Sequence, residues 1–382
     1  MEADIAACFD EIDHVASMDR VRIRIKDKKV LALVKAFLKA GVMTRAGDRK
    51  DTPTGTPQGG ILSPLLANIA LTVLDEHYAR AWTAMGDANQ RHRRRKRGEA
   101  TYRLIRYADD FVLVVKGERH HAEALLDEVA DVIAPLGLHL APDKTRVVHI
   151  DDGFDFLGFT VRRYRGVILA TPQKSKVVRH LRTIHDYLSG HRQVTASQVI
   201  SELNPLIRGW TNYYRHGASK KTFHSVDHHV QAKLWRWAKR RHPTKSAAWI
   251  RAQYFDANWN FTDGKARLAR HDDIPITRHS KVQGKRSPLN PDDRDYWEIR
   301  QHRRMTEVVN SPMRLTLLKR QDYRCAMCHV RFDPDEDLPL IDAHHDTPRH
   351  LGGSDEIDNL QLVHRWCHHG HHMRIGYRAA EA

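Results

Sequence analysis

The stretch Leu104-Ile-Arg-Tyr107-Ala108-Asp109-Asp110-Phe111-Val-Leu-Val-Val115 constrains this chain more than any other, because it sets two apolar runs on either side of a short acidic turn. Such runs meeting at a tight turn predict a β-hairpin. The surroundings suit it: from Met1 to about Thr171 apolar strands alternate with amphipathic helices, the texture of a mixed α/β domain. Two carboxylates at a hairpin tip act either as turn formers or as ligands for hard divalent cations, and taken alone this pair reads as turn formers.

The pair is not alone. Ala3-Asp4-Ile5-Ala6-Ala7-Cys8-Phe9-Asp10 offers a third carboxylate, and Thr56-Pro57-Gln58-Gly59-Gly60-Ile61-Leu62-Ser63-Pro64 a glycine-rich turn that opens a helix. In this order the three segments resemble motifs of reverse transcriptases. Residues 137–145, Gly-Leu-His-Leu-Ala-Pro-Asp-Lys-Thr, and Phe156-Leu157-Gly158-Phe159 are similar to that family's later palm motif and primer grip. The resemblance implies that Asp4 and Asp109 are the main ligands of two Mg²⁺ ions and Asp110 an accessory one. These ions would activate a primer 3′-hydroxyl and stabilise an in-line displacement at a nucleotide α-phosphate. It further implies that Phe9 packs under the deoxyribose, that Gln58 and Gly59 touch the incoming deoxynucleoside triphosphate and template, and that Lys144 joins the nucleotide-binding set. In the family a fingers region precedes the first aspartate motif, which here begins at residue 4. The expectation is therefore a palm truncated at the front, with a separate polypeptide or a dimer partner as a candidate source of fingers.

Charge points to a polyanion. The chain carries a formal +16, and between Pro172 and Asp256 16 Lys or Arg stand against 4 Asp or Glu, so one segment holds +12 of that excess. A solvated basic surface is the plain alternative. Here Trp210, Tyr213, Tyr214, Trp235, Trp237 and Trp249 interleave with the cations, a mixture suited to phosphate contact and base stacking. Val177, Leu181, Ile184 and Leu188 recur with helical spacing up to Gly190, so the segment reads as helical. Asn204-Pro-Leu-Ile-Arg208-Gly-Trp210-Thr-Asn-Tyr213-Tyr214 and Leu234-Trp-Arg-Trp-Ala-Lys-Arg240-Arg241-His-Pro243 resemble the thumb and maturase domain of group II intron proteins, which grips intron RNA. Arg208, Trp210, Tyr213, Tyr214, Arg240 and Arg241 are the nucleic-acid-binding candidates on this resemblance, although Trp210 and Trp235 taken singly read as core residues. The basic run within Gln90 to Gly98 reads as a loop-like insertion that orders on a partner.

Three of the four cysteines fall near the C-terminal end, an asymmetry that favours metal over disulfides. Cys325-Ala-Met-Cys328 and His364-Arg-Trp-Cys367 have the spacing of one tetrahedral Zn²⁺ site, which would staple a module too small to rely on its core. Between and after them lie Asp342-Ala343-His344-His345, Gly352-Gly353-Ser354, Asn359, His368 and His372, a set that resembles the HNH or ββα-metal nucleases. The resemblance implies His344, His368 and His372 as ligands of Mg²⁺ or Mn²⁺, His345 as general base, Asn359 as its positioning residue and Asp342 behind a ligand. His369 and His371 read as bystanders, with the choice between His371 and His372 left open.

The fold class expected is thus α+β multidomain: a partial reverse-transcriptase palm at 1–171, an α-helical thumb/maturase domain at 172–257, a basic linker or DNA-binding region at 258–312 with short helices near Tyr296 to Val309, and a zinc-stapled ββα-metal (HNH) nuclease at 313–382. No apolar run approaches the roughly 18 residues of a membrane span, and the opening stretch carries Glu2, Asp4 and Asp10 where a signal would be apolar. These features suggest a cytoplasmic, nucleoid-associated prokaryotic protein without a membrane partner. The expected function is intron mobility, with RNA-directed DNA synthesis, splicing assistance on group II intron RNA and nicking of target DNA. Two alternatives stay open: an HNH nuclease on an RNA-binding body, or a non-catalytic splicing cofactor.

Overall fold

A computed structural model describes residues 1–43, 49–50, 52–56, 60–277, 281–284, 286–309, 311–334 and 337–374. The chain divides into two compact units, Met1–His279 and Ser280–Ala382.

In the first unit the strands Thr101–Tyr107 and Asp110–Lys116 form the expected hairpin, closed by the pair Tyr107 and Asp110, and Glu2–Ala3 adds a third antiparallel strand beside Phe111 and Val112. Strand side chains alternate between faces, so Phe111 and Leu113 enter a core with Ala3 and Ile5, covered by Leu71 and Leu74 from one helix pair and by Val129 and Ile133 from helix Arg119–Ile133. The hairpin tip is strained: Ala108 sits at φ 55°, a left-handed conformation that costs a non-glycine residue free energy. The nearly buried Arg106 guanidinium holds it there. It donates to the Ala108 carbonyl at 2.6 Å, to Asn68 Oδ1 at 3.0 Å and, through a two-pronged ion pair, to Asp75 on helix Thr72–Ala84.

The basic run expected as a loop is instead the helix Ala88–Lys96. A reciprocal cap between Asp87 and Gln90 satisfies its first turn. Its cations gather in the last turn, where the helix dipole favours positive charge. Arg91 lies 4.2 Å from the Trp82 ring centroid, and Glu99 takes Arg94 and Arg97. Local contacts thus offset the self-repulsion that argued for a loop.

A second antiparallel sheet, Phe154–Phe156, Phe159–Tyr164 and Val167–Pro172, leads into the helices Lys174–Gly190, Ala196–Tyr214, Lys220–Arg241 and Ala247–Tyr254. Ile184, Leu188, Leu203, Ile207, Val230 and Trp237 are the centre of their core. Residues 258–277, expected as linker, fold back onto this bundle, burying Phe261, Leu268 and His271. Part of the reason is polar. His271 bonds Asp227 Oδ1 through Nδ1 at 2.7 Å and His180 through Nε2 at 2.8 Å, while His180 stacks on Trp210. Among the described residues, no helix is long and apolar enough to cross a membrane.

The second unit has a smaller core, with Leu317, Phe332, Ile341, Leu362 and Val363 buried. Met305 and Val309 join it, so helix Arg294–Val308 and the residue after it pack with the module rather than spanning a gap before it. Strands Ile341–His345 and Leu360–His364 pair antiparallel, and helix Arg365–Arg374 follows directly.

Burial, with His271 beside it, pushes the His180 imidazole down to about 3, so it is neutral when folded. Unfolded, it takes a proton below its ordinary 6.5. The unfolded chain then binds more protons, so this contribution is complete above 6.5 and is lost as pH falls toward about 3. The urea midpoint of the helical domain, followed by near-ultraviolet circular dichroism, should fall between pH 7 and 4.5, less steeply in His180→Gln.

Candidate active sites and metal centres

Strand pairing brings Asp4, one residue beyond Ala3, to the acidic hairpin tip. A cavity of about 340 Å³ opens there, lined by Glu2, Asp4, Asp110, Asp143, Lys144 and Asp155 among others. Removal from water raises the Asp110 carboxyl, and Asp109, Asp4 and Glu2 raise it further against the pull of Lys144. Cys8 senses the same field: burial pushes its thiol up to about 12, with Asp109 and Asp4 adding to the rise and Arg106 opposing it. The three expected carboxylates therefore share one electrostatic site, a place that a cation would stabilise. Asp110 rather than Asp109 is the tip carboxylate in the cavity lining. Lys144 Nζ lies 2.8 Å from Asp4 Oδ2, so the lysine expected on nucleotide is paired with an expected metal ligand. Phe9 packs at the edge of the core, and its carbonyl accepts the Thr56 N–H at 2.6 Å. Gln58 and Gly59 lie outside the described residues.

The far wall of this cavity includes Asp155, Phe156 and Leu157. Leu157 at φ 48° and Gly158 at φ 76° form a two-residue hairpin turn closed by the pair Phe156 and Phe159. Tyr213 Oη donates to the Leu157 carbonyl at 2.7 Å, and the Phe159 ring packs on Tyr213 and Tyr214. Gly158 is required by the fit as well as the turn, since a Cβ there would meet Tyr214 Oη at 2.9 Å. Tyr213 and Tyr214, expected on nucleic acid, thus clamp a wall of the acidic cavity. Two further candidates are also engaged within the protein: Trp210 packs between His180 and Tyr214, and Arg241 donates to the Val194 and Arg192 carbonyls at 2.6 and 3.2 Å. Arg208 and Arg240 are exposed. The sequence reading missed Arg106 and Asp155, whose partners are distant in the chain.

In the second unit one sulfur from each of Cys325, Cys328 and Cys367 and one nitrogen of His364 all lie within 4.8 Å of one another. Burial and the neighbouring Cys328 and Cys325 sulfurs push the Cys367 thiol up to about 12. For Cys325, burial opposes ionisation, but N–H groups of Cys328, His364 and Met327 outweigh it and hold the thiol below its ordinary value. Asp337 Oδ2, 3.4 Å from His364 Nε2, leaves Nδ1 facing Cys328 Sγ. Three sulfurs and one oriented imidazole at this spacing could hold a soft metal ion.

The second ligand group is His344, His368 and His372, again within 4.8 Å. His344 comes from a strand, while His368 and His372 lie one helical turn apart on Arg365–Arg374. The His371 ring is 5.1 Å from His344, but His371 is not part of the converging donor set. Burial and the three surrounding imidazoles push His344 down to about 4, which leaves it neutral and able to ligate. Asp342 Oδ2 lies 3.3 Å from His368 Nδ1. His345, the next strand residue, meets Asp355 Oδ1 at 2.7 Å, and Arg349 shares that oxygen. Asn359 receives the Thr347 N–H at 2.8 Å and donates to the Thr347 and Ser354 carbonyls at 3.0 and 2.7 Å, closing the loop that carries Asp355's neighbours. The sequence reading had no signal for Asp355, one acid among several in a polar loop.

Three segments match known families: residues 1–161 the reverse transcriptase (RNA-dependent DNA polymerase), 177–255 the group II intron maturase-specific domain, and 325–374 the HNH endonuclease. Protein YkfC of Escherichia coli K12 is 35% identical over 180 residues, covering 43% of this chain and 47% of that protein. The group II intron-encoded protein LtrA of Lactococcus lactis is 31% identical over 221 residues, covering 46% and 37%. An uncharacterized 91 kDa protein in the cob intron of Schizosaccharomyces pombe is 27% identical over 276 residues, covering 56% and 34%. The chain spans less than half the length of these relatives. The acidic cavity lies in the first matched segment, the helical bundle in the second and both candidate ligand groups in the third, so the chain carries reverse transcriptase, group II intron maturase and HNH endonuclease segments in that order and is similar to group II intron-encoded proteins.

Proposed function

We propose that this chain serves the mobility of a group II intron: it binds intron RNA and assists its splicing, nicks target DNA, and extends the nick from deoxynucleoside triphosphates on an RNA template. The observation that carries this reading is the acidic cavity, where carboxylates from separate chain segments meet beside a hairpin held by the maturase-type helices. Asp4, Asp109 and Asp110 would hold Mg²⁺, which supplies activation of the primer hydroxyl and relief of charge at the α-phosphate. Lys144 must exchange Asp4 for the nucleotide as the site fills. In the nuclease, His344, His368 and His372 would hold Mg²⁺ or Mn²⁺, and the cysteine set with His364 a structural Zn²⁺. His345 takes the proton from the attacking water. Asp355 accepts at its Nε2 and so leaves Nδ1 as the basic atom. The site of action is nucleoid DNA in a prokaryotic cytoplasm.

One observation favours a narrower reading, a nuclease on an RNA-binding body. Among the described residues, the groups gathered to ligand spacing are the histidine and cysteine sets, whereas Asp4 is held by Lys144. Primer extension on poly(rA) with oligo(dT) decides between them. The mobility reading expects product from the wild type and none from Asp109→Ala or Asp4→Asn; the narrower one expects no Asp109-dependent product at all. For the nuclease, His345→Ala should slow nicking of supercoiled DNA about 10²- to 10⁴-fold, and undiminished nicking would remove His345 as base. Stripping Zn²⁺ with a chelator, or Cys325→Ser, should abolish cooperative unfolding of the C-terminal unit, because so small a core folds only with its staple. Metal analysis of the wild type should return one zinc per chain.

A further inference from the structure

Beyond helix Ala247–Tyr254 the chain makes a tight turn organised by one carboxylate. Asp256 accepts the N–H groups of Asn258 and Asn260 at 2.9 and 2.8 Å and the Asn260 amide at 2.8 Å, and its own N–H and carbonyl bond Asn260 and Trp259. The turn holds Trp259 at φ 61°, a left-handed conformation in which glycine or asparagine would be ordinary and a large aromatic is strained. The residue nonetheless stays 42% exposed. Gln231 Nε2 fixes the Trp259 carbonyl at 3.3 Å. The Arg251 guanidinium lies 4.7 Å from the ring centroid, with Trp235 and Phe255 each 5.8 Å away. Beside the indole is a cavity of about 110 Å³, with Phe255, Phe261 and Leu268 in its wall and His224, His228 and Arg270 among its polar lining. Strain held in place by a polar scaffold, presenting an outward aromatic surface, marks a binding position rather than a packing one.

We propose that Trp259, with Arg251 laid on it, is a stacking platform for an unpaired nucleotide of RNA, the base meeting the indole and the phosphate the guanidinium. The inference rests on the reading that the helical domain binds intron RNA, and it names a contact within that domain. A π surface joined to a cation suits single strands, whose splayed bases stack on aromatic and arginine planes. Asp227 in the cavity wall is already occupied by Arg270 and by His271, which leaves the Arg251 guanidinium on the indole as the cation that a phosphate would meet and an apolar protein segment would not.

The test uses the full chain and a short labelled oligoriboadenylate containing one 2-aminopurine, with its deoxy counterpart as the second probe. Trp259→Ala should weaken binding of the ribo-oligomer about 5- to 150-fold, abolish the aminopurine quench, and leave the salt slope unchanged. Trp259→Phe, which keeps an aromatic ring on the same turn, should retain most of the affinity. Arg251→Gln should flatten the salt slope by about 0.7, one phosphate contact on a single strand. Equal binding and quench by wild type and Trp259→Ala would overturn the platform while leaving the RNA-binding reading intact. Failure of the wild type to bind the ribo-oligomer would overturn both, and a preference for the deoxy probe would overturn the assignment to RNA.

Discussion

The short antiparallel pairing of Ala3 with Phe111 brings Asp4 to the turn that carries Asp109 and Asp110, and the chemistry expected of the first unit depends on that approach being held against repulsion. The opposition is visible in the groups around it, with Asp110 and Cys8 both pushed toward their neutral forms. Two devices sustain it. Arg106 ties the strained turn to helix Thr72–Ala84, and Lys144 compensates the Asp4 carboxylate. A polymerising site needs such a field, because charge that is costly in the free protein is what binds metal.

The second unit meets the same constraint with softer groups. Its strand pair places His364 opposite Ile341, so one ladder serves both metal sets: His364 faces the cysteines at one end, and His344 faces the helical histidines further along. Because successive strand side chains alternate, His344 and His345 cannot both serve the ligand group, and Asp355 engages the second. The proposed ligand and the proposed base are thus adjacent on the strand and face opposite ways. The apolar core beneath is small, and a metal held by the cysteine set would add stability as well as geometry.

Between these chemistries lies a domain whose aromatics divide by task. Trp237 is buried at the centre of the bundle, Trp210 rests on the His180–His271–Asp227 network, and Tyr213 and Tyr214 brace the hairpin that walls the acidic cavity. The helical bundle and the palm are therefore coupled by hydrogen bonds and ring contacts rather than joined by a loose linker. Near the end of the bundle Trp249 and Trp259 are exposed, as is Tyr213 despite its bond to the Leu157 carbonyl.

Local pattern was enough to read the acid-tipped hairpin, the helix ending at Gly190 and the zinc-type spacing of Cys325, Cys328, His364 and Cys367, because each rests on short-range rules of alternation, helical period or chelate spacing. Ordered motifs likewise named the families before any coordinates. What composition could not show was how cations and rings would be spent. The run at 91–97 looked like self-repelling loop, yet a capping pair and one glutamate let it be a helix. The stretch after Asn258 shows no periodicity because scattered anchors attach it to the bundle, a buried histidine pair with an aspartate and the isolated apolar residues Phe261 and Leu268. Whether a tyrosine faces nucleic acid or another strand, which of two adjacent histidines joins a ligand set, and which aspartate steadies the base all depend on partners far away in the chain. Those choices belong to tertiary packing, since a side chain's local sequence sets its direction from the backbone but not what the fold brings to meet it.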